Sequence, residues 1–186
     1  MTVANLGASS PIRTMLLLDH ANNVYLQVAV SQITRSGSVA TVKANRHGFA
    51  TGDTITVAGT GQTEYNISAA ITVVDDDTLT YTVSGTPVSP ATVAVSGGIT
   101  ASNPTSSRVA PGCSAVQVEV PAAGTTLKVE KRLYFNAPWV QEGSDITNAT
   151  TAAQAFVALW VPPAFVRIRR SAGSGNCKAY AQTVAG

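Results

Sequence analysis

The sequence predicts an all-β protein in which a small β-module sits between an early β-segment and a later β-series. Three observations carry this reading. Short runs rich in Val, Thr and Ile are separated by Gly, Asp, Asn and Pro, the punctuation of strands and tight hairpins. Within these runs apolar and polar residues alternate with period two, which puts one set on each face. No run has the three-four spacing of an amphipathic helix.

The elements follow in order. Residues 1–13 (MTVANLGASSPIR) are mostly small and polar around one proline, and read as an arm suited to a neighbour. Residues 14–18 form a short apolar strand. Residues 24–33 alternate Val24, Leu26, Val28 and Val30 against Tyr25, Gln27, Ala29 and Ser31. The module occupies residues 36–99, with strands at 39–44, 54–58, 67–74, 78–83 and 91–99. Its turns fall at Asn45-Arg46-His47-Gly48, Thr51-Gly52-Asp53, residues 59–62, Asp75-Asp76-Asp77 and residues 84–90.

Residues 100–112 (TASNPTSSRVAPG) read as a connector. The later series has strands at 114–120, 125–135, 154–161, 164–170 and 176–184. An irregular stretch at 138–153 has room for a short helical turn at 150–155, and Pro162-Pro163 forces a break. Lys131 falls on the apolar side of its strand, which predicts a strand end or bulge nearby. The domain reading is an arm at 1–13, a discontinuous framework of 14–35 plus 100–186, and the module at 36–99. Residues 14–33 are expected to add strands to the C-terminal sheet.

Hydrophobic residues make up 45% of the 186, enough for a sizeable core, but charged residues only 12%, about half the usual share. A lone soluble chain covers itself with Lys, Glu, Asp and Arg. One so poor in them leaves surface for other subunits. The net charge of +2 supplies little for phosphate neutralisation, which argues against general nucleic-acid binding. The apolar run Met15-Leu16-Leu17-Leu18 is too short for a signal sequence and ends at Asp19, and no segment is long enough to cross a bilayer. The expectation is a chain kept in a cytoplasm or carried out within a particle. Cys113 and Cys177 lack CxxC partners and are expected to stay reduced, pairing only if the fold joins their strands.

Little in the chain could do chemistry. His20 and His47 sit in turns, without the acid and nucleophile that a Ser-His-Asp site needs. Ten acids offer no evident pair for glycoside hydrolysis: three are packed into Asp75-Asp76-Asp77, and Glu119, Glu130 and Glu142 are scattered. The aspartate run lacks the alternate spacing and closing Glu of a calcium loop. Gly59-Thr60-Gly61 has no following Lys-Thr or helix start to make a phosphate cradle. Asn66-Ile67-Ser68 and Asn148-Ala149-Thr150 match a glycosylation acceptor by chance. No catalytic residue, cofactor or metal ligand is expected, and the chain reads as a non-enzyme.

Arg167, Arg169 and Arg170 stand out on so sparsely charged a chain. They read either as an anchor onto an acidic neighbouring subunit or as a strand face paired with Glu130 or Glu142. Trp139 and Trp160 read as core residues, and Tyr65 as the plug of the module.

The string from Gly37 to Val42, followed by HGFATGDTITVAG, QTEYN and TVVDDDTLTYTVSGTPVSPAT, resembles a module recurrent in virion proteins of tailed bacteriophages. That module is commonly described as similar to the first catalytic-cysteine half-domain of ubiquitin-activating enzymes. The match covers residues 36–95 and includes no cysteine. The ending PPAFVRIRRSAGSGNCKAYAQTV is similar to the last hairpin of β-sandwich proteins of phage heads and tails. The resemblance implies a jelly-roll-like β-sandwich with an inserted small β-barrel or hairpin module.

It also implies a virion component assembled in the host cytoplasm, homo-oligomeric and bound to other virion proteins. A head decoration or cement protein is the favoured role. A tail fibre, or a head-tail adaptor that recognises the host surface, is the alternative. Partner-binding candidates are Val3, Leu6 and Ile12 of the arm, with Arg167, Arg169 and Arg170.

Overall fold

The computed structural model describes residues 12–94, 98–120, 124–134, 137–148, 153–158 and 165–184. Among them the protein is almost entirely strand, arranged in four antiparallel sheets with two single 3-10 turns, at His20–Asn22 and Thr63–Tyr65. The chain opens with β1 (Ile12–Asp19). It then enters the module through β2 (Leu26–Val30), β3 (Gln32–Ser36), β4 (Val39–Lys43), β5 (Thr54–Ala58), β6 (Ser68–Ala70), β7 (Thr72–Asp75), β8 (Thr78–Thr82) and β9 (Ile99–Asn103). It returns to the framework through β10 (Ala110–Pro111), β11 (Cys113–Val120), β12 (Thr125–Arg132), β13 (Val140–Asn148), β14 (Ala153–Ala158), β15 (Phe165–Ala172) and β16 (Lys178–Val184).

Each unit has two four-stranded sheets around its own apolar cluster. In the framework the orders are β1-β16-β11-β14 and β10-β15-β12-β13. Leu17, Leu18, Val116, Val118, Ala179 and Ala181 of the first sheet pack with Leu127, Val129, Val166 and Ile168 of the second. In the module the orders are β2-β9-β5-β6 and β3-β4-β8-β7. Its cluster includes Ile33, Val42, Phe49, Ile55, Val57, Tyr65, Leu79 and Ala101. Tyr65 is fully buried. Its hydroxyl donates to the Val88 carbonyl at 3.1 Å, and its own carbonyl accepts from the Tyr81 hydroxyl at 3.1 Å.

The pairing redraws the edges of the module. β1 pairs with β16, so residues 12–19 join the C-terminal strands. Residues 26–36 do not, although the sequence assigned 14–33 to the C-terminal sheet: β2 pairs with β9 and β3 with β4, both within the module. The run 24–33 looked like one strand, but the chain changes sheet at Ser31, so Val30 and Ile33, three apart, are both buried.

A second switch at Ile71 divides the expected 67–74 strand between the two sheets. The closing strand is not 91–99. Val93 makes only an isolated bridge to Thr60, and β9 runs through Thr100-Ala101-Ser102-Asn103, read earlier as connector. β9 lies between β2 and β5, a central place that its small residues can fill. Ala153–Ala158, where a helical turn had room, is a strand paired with β11. The strand end expected near Lys131 is found, since β12 stops at Arg132; a bulge lies in the partner strand, where Leu127 faces Ile146 while Val129 faces Glu142, with Gly143 at φ 69 inside the extra residues. Lys131 itself pairs with Glu142.

Candidate functional site

Two short crossings join the units. At the outward crossing, Asp19 bridges Val24, and its carboxylate accepts from the Ala21 amide at 3.1 Å and the Asn22 side chain at 2.8 Å. At the return, the Leu26 amide donates to the Ser106 carbonyl at 2.8 Å, and Ser107 takes its place beside Ile168. Between the 45–53 turn and β7–β8 tip of the module and the β12–β15 face of the framework lies a cleft of about 750 Å³.

The framework wall comes from period-two alternation in β12 and β15. Leu127, Val129, Val166 and Ile168 face the apolar cluster. The intervening Glu130, Arg132, Arg167 and Arg169 line the cleft. The register sets Glu130 opposite Arg167 and Lys128 opposite Arg169. Arg167 Nε donates to Glu130 Oε2 at 2.7 Å, and Arg169 Nε donates to Oε1 at 2.8 Å. Arg167 is 2% exposed. Its second nitrogen reaches across to Asp53 Oδ2 of the module at 3.1 Å. Burial, reinforced by the nearby Arg167 and Arg46 charges, pulls the Arg132 pKa down to about 10, against the opposing pull of Asp76. The Trp139 ring lies over both cations, with its centroid 4.3 Å from the Arg132 guanidinium carbon and 4.6 Å from that of Arg167. Its indole N–H is buried and meets no hydrogen-bond partner among the described residues.

The module wall is the 45–53 turn held against the β7–β8 hairpin. The Arg46 amide donates to Asp77 Oδ1 at 2.7 Å and the His47 amide to the Asp76 carbonyl at 3.1 Å. Arg46 and Gly48 sit at φ 47 and 75, which bends the turn sharply enough for both contacts. The Phe49 amide donates to His47 Nδ1 at 3.1 Å, so Nε2 carries the proton and donates to the Asp75 carbonyl at 3.0 Å. Burial lowers the His47 pKa below its ordinary value, so this imidazole is neutral and structural. Asp53 closes the turn by accepting from the Ala50 amide at 2.9 Å. The Asp77 amide, donating to the Asp75 carboxylate, lowers the pKa of that group.

Of the residues singled out from sequence, Arg167 and Arg169 meet here, on their own chain's carboxylates. The pairing with Glu130 is the arrangement found. Arg170 points elsewhere, donating to the Gly175 carbonyl at 3.2 Å. Ile12 pairs with Val184 at the start of β1, and its side chain, like Val3, Leu6 and Trp160, lies outside the described residues. Sequence reasoning missed Asp53, Arg132 and Trp139. Asp53 looked like a turn residue only. Trp139, read as core, stands half-buried on the cleft wall.

The two cysteines are free and buried. Cys113 stands opposite Thr183 in β16, while Cys177 precedes β16 at its other end. Six residues of strand, roughly 20 Å, separate them, well beyond disulfide reach. Cys177 Sγ lies 3.1 Å from His20 Nδ1, and burial lifts its pKa to about 11. It is a packed thiol rather than a nucleophile. Among the described residues no three His, Cys, Asp or Glu side chains are placed to hold a metal ion. No protein-family model matches the chain, and no curated protein matches it either.

Proposed function

We propose that this chain is a structural protein of a bacteriophage virion, specifically a head decoration or cement protein that works by contact rather than by chemistry. One observation carries the reading beside the sequence resemblance: the order of the framework strands. Lettered A to H in chain order, they run A-H-C-F in one sheet and B-G-D-E in the other. We read this as a jelly roll, two Greek keys folded face to face, an architecture that viral shell proteins use. The module is then an insertion between its first and second strands.

Surface features support the role. Leu133, Tyr134 and Val140 are more than half exposed around the β12–β13 hairpin end, as are Val74 and Val88 on the module. The framework sheets end in β1, β14, β10 and β13, edges on which neighbouring subunits can lay strands. Such a protein spans joints between shell subunits and raises the barrier to rupture under packed DNA. Its partners are the major capsid protein and copies of itself, and its home is the particle.

The test is the copy number of this chain in purified particles, with heads and tails separated before staining. Hundreds of copies in the head fraction are expected. A few dozen or fewer confined to tails would establish the alternative, a tail fibre or adaptor that meets the host surface, which the open cleft favours. Absence from both fractions would overturn the virion reading.

A further inference from the structure

We propose that the cleft between module and framework is a binding site for a neutral, hydroxyl-rich ligand, a short oligosaccharide. The two walls select that class. The module side presents the carboxylates of Asp53, Asp75 and Asp76, so it is a wall of acceptors. The framework side presents Arg132, Arg167 and Arg169 against the single carboxylate Glu130, so it is a wall of donors.

An anion entering the cleft meets four carboxylates, three of them on the module wall, and a cation meets three guanidiniums. Each gains on one side and loses on the other. A sugar hydroxyl donates and accepts at once, and satisfies both walls without carrying charge into either. Between the walls, Val73, Pro138 and Trp139 give apolar surface for the C–H face of a pyranose ring. The volume of about 750 Å³ falls inside the range of roughly 300–1,000 Å³ typical of small-molecule clefts, and the position between two folded units is where such clefts concentrate.

The guanidinium wall is already rigid. Arg167 and Arg169 are fixed on Glu130 through their Nε atoms, while Arg169 keeps a side chain 35% exposed and so has N–H groups open to the cleft. Asp76 is the matching acceptor on the other wall. It holds the turn through its carbonyl, which accepts from the His47 amide, while its carboxylate faces the Arg132 charge, so Asp76→Asn leaves the backbone contact in place. Neither the ion pair nor the turn needs to open for a ligand to reach this pair.

The full-length chain is probed on an array carrying neutral, uronic-acid and free amino-sugar glycans, and hits are repeated in solution by NMR with maltotriose, cellotriose or N-acetylchitotriose. Binding to neutral glycans is expected, with shifts at the Trp139 indole signal. Affinity should fall about tenfold or more in Asp76→Asn and in Trp139→Ala, and Asp76→Asn serves if Trp139→Ala fails to fold. Binding confined to uronic-acid or amino-sugar glycans, no binding to any class, or affinity unchanged in Asp76→Asn would overturn the proposal. The assay uses free protein, so its result is independent of whether the chain resides in a particle.

Discussion

Arg167 of the framework and Asp53 of the module are 114 residues apart in sequence and 3.1 Å apart in space. This contact, with the Arg167–Glu130 pair behind it, helps weld two units that also meet at the two crossings and where the Arg46 guanidinium lies over the Phe165 ring. A buried ion pair of this kind is a poor source of net stability but costly to break from one side.

Arg167→Ala strips the buried Glu130 of its nearer partner and is expected to cost about 3 kcal/mol in urea unfolding, the lower end for such a pair because Arg169 remains. Asp53→Asn keeps an oxygen for the Ala50 amide and is expected to cost about 1 kcal/mol. A reversed order of the two effects would show that the weld is not where the energy lies.

Two glycines separate backbone strain from crowding. Gly37 and Gly59 both have positive φ, at 58 and 92. A Cβ on Gly37 meets open space, whereas one on Gly59 falls 2.4 Å from the Gly98 carbonyl oxygen. Gly37→Ala is expected to cost about 1 kcal/mol and Gly59→Ala roughly 3, as strain and overpacking add. Thermal melts of the two variants check the contrast, and equal losses would refute it.

Raising the pH should weaken the fold above about pH 9. Burial holds the Cys177 thiol protonated up to about 11, against an ordinary 9.0. Burial also raises the pKa values of Cys113 and Tyr81. Unfolding releases protons from these groups, so their contribution is complete below the unfolded pKa and is lost as pH climbs through the folded one. For Cys177 alone the loss is of order 2 kcal/mol. Cys177→Ala should flatten the decline between pH 9 and 11 in a denaturation series, and an unchanged slope would assign the effect elsewhere.

On the proposed virion role, deletion of the N-terminal arm tests docking, and the fold sets its boundary. Ile12 and Arg13 pair with Val184 and Thr183, so a deletion that leaves the sheet whole stops at residue 11. Removal of residues 2–11 is expected to abolish association with particles while circular dichroism stays unchanged. Truncated protein that still binds particles as well as before would exclude the arm from docking.

The strands of this protein were legible wherever one face was buried throughout. Val39–Lys43 and Thr54–Ala58 alternate cleanly because one face packs on the module cluster. What the sequence hid was the change of sheet. At Ile71 the alternation runs on unbroken through β6 and β7, because the inward face stays inward as the strand crosses from one sheet to the other. Period two reports a face, not a neighbour. The cleft was hidden for a related reason. Arg167 and Glu130 could be matched as residues of adjacent strands, but Asp53 reaches Arg167 only through the packing of two units, and Trp139 reaches it from the β12–β13 connection, neither of which a local pattern encodes.

Leu26 and Asn103, where the chain enters and leaves the module, stand directly opposite one another in the β2–β9 ladder. Doorways so close together make residues 26–103 a cassette. A single recombination could splice such a segment into the gene of the two-sheet framework, or remove it again, with only a short join to heal. Lineages could then vary what the framework displays while leaving unchanged how it is built.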